Sequence, residues 1–79
     1  MREQLDAIAK TIEVLHEKRH SVEESILPGF NKAVDTAEDF FIECYKKAKE
    51  HCQQQGIQFI TSSRVTALTN QLSLSRPWG

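Results

Sequence analysis

The sequence predicts an all-α fold: an antiparallel helical hairpin over residues of about 2–27 and 30–55, carrying a shorter third helix over about 63–73 with coiled-coil-like packing. Three observations lead there. Apolar residues recur at alternating four- and three-residue steps from Met1 to Ile26, and again from Phe30 to Ala48; that is the 3.5-residue seam of packed helices. Only Pro28, Pro77, Gly29, Gly56 and Gly79 punctuate the chain, so long uninterrupted helices are expected. The two long segments are of equal length, so each can cover the other.

In the first helix Leu5, Ile12, Arg19 and Ile26 fall at one seam position, with Ile8, Leu15 and Val22 at the other. Asp6 and Lys10 form a favourable pair one turn apart. Arg19 interrupts the apolar seam. Either its stem snorkels past the core edge or its charge sets the register of an association. Ser21 and Glu24 fit the S-x-x-E pattern that can start a new helix. The heptad runs straight through them, so one continuous helix is the preferred reading.

Pro28-Gly29 is the expected break, because proline removes a helical donor and disfavours helix at the residue before it. Beyond it Phe30, Val34, Ala37, Phe41, Cys44 and Ala48 continue the spacing, and Ala33, Phe40 and Tyr45 widen the stripe. Phe40 and Phe41 should fill the middle of the hairpin. This pairing sets Leu15 beside Phe41, His16 facing Phe41 and Leu5 beside Cys52. Gly56 is placed to end the second helix with a left-handed cap. Ser62 or Ser63 is a good N-cap for the third, whose Val65, Leu68 and Leu72 form an apolar side with Leu74 near it. The domain spans 1–74. Residues 75–79 read as a flexible tail, in which Trp78 is either disordered or a contact anchor.

The chain has 79 residues, and a chain this short buries only about 60% of the surface its unfolded form exposes. Association with a partner is a common remedy. Ten basic and eleven acidic residues give a net charge of −1, which is no footprint for nucleic acid or an anionic membrane. The apolar runs are far shorter than the roughly 20 residues of a membrane span, and the first residues lack the apolar core of a signal peptide. Cys44 and Cys52, eight residues apart on one helix, are separated by about 12 Å of rise and cannot bridge. An intracellular, cytoplasmic setting follows from that thiol usage.

Few constellations suggest chemistry. His16 and His20 share a helix face, but Cys44, His51 and Cys52 do not converge on them in the hairpin, and no metal-binding spacing occurs. No metal or cofactor is expected. Glu13, Glu17, Glu38, Asp39 and Glu43 are assigned to exposed faces, where paired carboxyls do no acid–base work. The basic run from Tyr45 to Lys49 is interleaved with acids and reads as a mixed solvated face. Catalysis is not expected.

The stretch from Gly56 to Leu72 resembles a helix-turn-helix DNA reader: a helix, a glycine turn, then a helix rich in Ser, Arg, Thr, Asn and Gln, side chains able to read base edges. Gln55 and Ser62, however, stand where that motif needs apolar packing residues, and Arg64 is the stretch's only cation. DNA reading by residues 63–73 is therefore the alternative. The leading expectation is a protein–protein interaction or oligomerisation module, a scaffold or adaptor domain using an apolar stripe the short third helix leaves open. Its partner-binding residues are Leu5, Ile8, Ile12, Leu15, Arg19, Phe40 and Phe41, and the expected partner is a second copy, as a homodimer, or another protein, with nucleic acid disfavoured.

Overall fold

The computed structural model describes residues 2–75; Met1 and residues 76–79, including Trp78 of the tail, lie outside the described residues. The expected all-α architecture is present. Helix α1 spans Arg2–Lys18, α2 spans Leu27–Gln55 and α3 spans Ser63–Ser75, with one 3₁₀ turn at Arg19–Ser21. Helix α1 is the middle element and packs against both others. The body measures 48 × 21 × 17 Å with a radius of gyration of 13.9 Å. A compact chain of this length would have about 11.6 Å, so the domain is a rod with a thin core.

The core is one cluster drawn from all three helices: Leu5, Ala9 and Ile12 of α1, Phe41, Ile42 and Ala48 of α2, and Val65, Leu68 and Leu72 of α3. Tyr45 and Phe59 seal one edge, their rings meeting edge-on with centroids 5.2 Å apart. Phe59 belongs to the link over 57–62, so the short apolar run before α3 acts as part of the lid.

Two boundaries differ from the expectation. The first helix ends at Lys18, not near residue 27. Beyond it the backbone tightens into the 3₁₀ turn, and Val22 is extended at φ −83°, ψ 136°. At Arg19 the seam offers no apolar side chain to hold a further α-turn onto the core, and Ser21 and Val22 are weak helix formers. The heptad continued in sequence but had nothing to bury. The second helix starts at Leu27, so Pro28 lies inside its first turn rather than marking the break. First-turn N–H groups have no helical acceptor, so a proline there forfeits nothing. The S-x-x-E pattern at Ser21 starts no helix: Ile26 caps α2 with no side-chain hydrogen bond.

These shifts move the pairing of the hairpin. His16 faces Glu38, with Nε2 and Oε2 2.9 Å apart, rather than Phe41. Moving the connection toward the N-terminus slides α2 by about one helical turn against α1.

The caps of the other two ends are as the residue types dictate. Gly56 is left-handed at φ 68°, ψ 25°; its N–H reaches the Gln53 carbonyl at 3.2 Å and the Ile57 N–H reaches Cys52 at 2.9 Å. This double bond closes the end of α2. Ser62 caps α3 by accepting the Val65 N–H at 3.3 Å.

Candidate functional site

Helical geometry sorts the faces of the hairpin. At about 100° per residue, Asp6 and Glu13 of α1 lie on one side of the core line through Leu5 and Ile12. Gln4, Ile8, Thr11, Leu15 and Lys18 lie on the other. On α2, Glu38, Ile42 and Tyr45 share one side, and Ala33, Ala37, Phe40, Cys44 and Lys47 share the opposite one.

Helix α3 occupies the first side and is fastened there by a polar clamp. The Ser62 hydroxyl donates to Asp6 Oδ1 at 2.7 Å. Arg64 donates through Nη1 to Asp6 Oδ2 and through Nε to Glu13 Oε2, both at 3.2 Å. The Arg64 cation is thus bound within the chain. That weighs against using it on phosphate, since the two neighbouring carboxylates offset its positive charge.

The second side carries no part of α3. A shallow hollow there, of about 170 Å³, is lined by Gln4, Leu5, Cys44, Lys47 and Ala48. Ile8, Ala37 and Cys44 are partly buried against the core from this side, Leu15 is half-buried, and Phe40 stands 55% exposed. The steps along α1 (4, 8, 11, 15, 18) and along α2 (33, 37, 40, 44, 47) alternate four and three. Each is a second heptad stripe, offset from the core seam. Together they form the slot a further helix fills in a bundle.

The seven expected partner-binding residues therefore divide. Leu5, Ile12 and Phe41, at most 2% exposed, line the chain's own core, so they are not available to a partner while the domain is folded. Ile8, Leu15 and Phe40 lie on the open side. Arg19 is exposed on the 3₁₀ turn at the end of α1. Phe40 was expected to share the interior with Phe41, but adjacent residues on a helix point about 100° apart, and the core takes only one of them.

Sequence reasoning also misplaced Glu38. It is 9% exposed, not on an outer face, and its carboxyl holds the His16 ring. The signal was present in its spacing: Glu38 lies one turn from both Val34 and Phe41, on the core side. Glu38 also borders a cleft of about 740 Å³, lined by His16, Arg19, His20, Asp35, Asp39, Gln71 and Ser75 as well. Ligand pockets are predominantly apolar with a few convergent polar groups. This cleft is lined by polar and charged residues of both signs and is open to solvent, so it ranks below the apolar slot as a candidate. Among the described residues, no three His, Cys, Asp or Glu side chains gather as a metal would require, and no helix is long and apolar enough to cross a membrane.

Comparisons of the chain with protein-family models, curated proteins and solved structures gave no match.

Proposed function

We propose that the chain is a protein–protein interaction and oligomerisation module whose open α1–α2 face receives a helix from a partner. One observation carries this reading. After α3 has docked, Phe40 still stands 55% exposed, beside Ile8, Leu15, Ala37 and Cys44, which are only partly buried. An exposed phenylalanine among small and aliphatic neighbours, with Lys18 and Lys47 at the rim, has the make-up of an interface: an apolar centre with a polar border. Helix-in-slot recognition would supply the affinity by burying Phe40 and Leu15.

A dilution series followed by backbone amide spectra tests the assignment. Association through this face moves the signals of Ile8, Leu15, Ala37, Phe40 and Cys44 with concentration and leaves those of Thr66, Asn70 and Ser73 still. Shifts confined to α3, or to the Glu13–Arg64 side, would place the contact elsewhere and overturn the reading.

A further inference from the structure

We draw no further inference here: the strongest candidate, the open apolar face of α1 and α2 around Phe40, belongs to the interaction surface already proposed, and nothing in the structure shows what covers it.

Discussion

Phe40 and Phe41 are identical neighbours, and the structure gives them opposite surroundings. Phe41 is fully buried, with its ring 6.2 Å from that of Tyr45. Truncating such a residue to alanine removes its transfer energy and leaves a cavity, about 3–5 kcal/mol together. A domain of this length holds roughly 4–12 kcal/mol in all, so Phe41→Ala should bring it to the edge of unfolding. Phe40 is 55% exposed. Full burial of a phenylalanine contributes up to about 3 kcal/mol, so its covered half contributes about 1 kcal/mol. Denaturant unfolding followed by circular dichroism, at concentrations too low for association, should therefore separate Phe40→Ala from Phe41→Ala by at least about 2 kcal/mol. Phe41→Leu, which keeps most of the volume, should lose less than about 1.5 kcal/mol and remain measurable if the alanine variant does not fold. In association the order reverses: Phe40→Ala should weaken it tenfold or more, as loss of an anchor does, and Phe41→Leu should barely change it. Equal destabilisation by the two alanine substitutions, or an unchanged association in Phe40→Ala, would refute the division of roles.

Two further substitutions test the scaffold. Asp6→Ala removes the acceptor for Ser62 and one partner of Arg64; the hydrogen bond to a charged group is worth about 1.5 kcal/mol or more, the half-exposed ion pair about 0.5 kcal/mol, so a loss near 2 kcal/mol is expected. A double-mutant cycle with Ser62→Ala should return a coupling of about 1 kcal/mol, and a coupling of zero would mean that the clamp does not hold α3. Gly56→Ala should cost about 1–2 kcal/mol from left-handed strain alone, because an added Cβ would meet nothing within 4 Å; thermal unfolding at an unchanged midpoint would show that the cap relaxes out of that conformation.

The parts of the fold that were legible in the sequence are those governed by local chemistry. Gly56 had to end a helix and Ser62 could start one, and both do. The heptad from Leu5 to Leu15 and the spacing from Phe30 to Ala48 specified two helices that pack. The connection was not legible, because it depends on what each side chain can reach. Val22 and Ile26 keep the heptad on paper, yet with Arg19 at the seam the chain gains more by turning at Lys18 than by extending a helix with nothing to cover. Pro28 read as a breaker because its position within the helix decides its effect, and that position follows from the turn. Glu38 reads as an outer-face carboxyl in the sequence because its core-side position is satisfied only by a partner 22 residues away, His16. The open face was legible as an excess of apolar residues over what a short third helix can cover. Which members of the excess remain outside, Phe40 rather than Phe41, depended on the side on which α3 docks, and that is set by Asp6, Glu13, Ser62 and Arg64.

Sedimentation equilibrium on the bare chain and on Phe40→Asp tests the central claim most directly. The chain has a mass of 9.0 kDa. The open-face account predicts an apparent mass that rises toward twice that value across the micromolar range, and a Phe40→Asp variant that keeps its helical signal but stays at single mass throughout. A wild-type chain that remains at single mass to millimolar concentration, or a Phe40→Asp variant that associates as the wild type does, would contradict it.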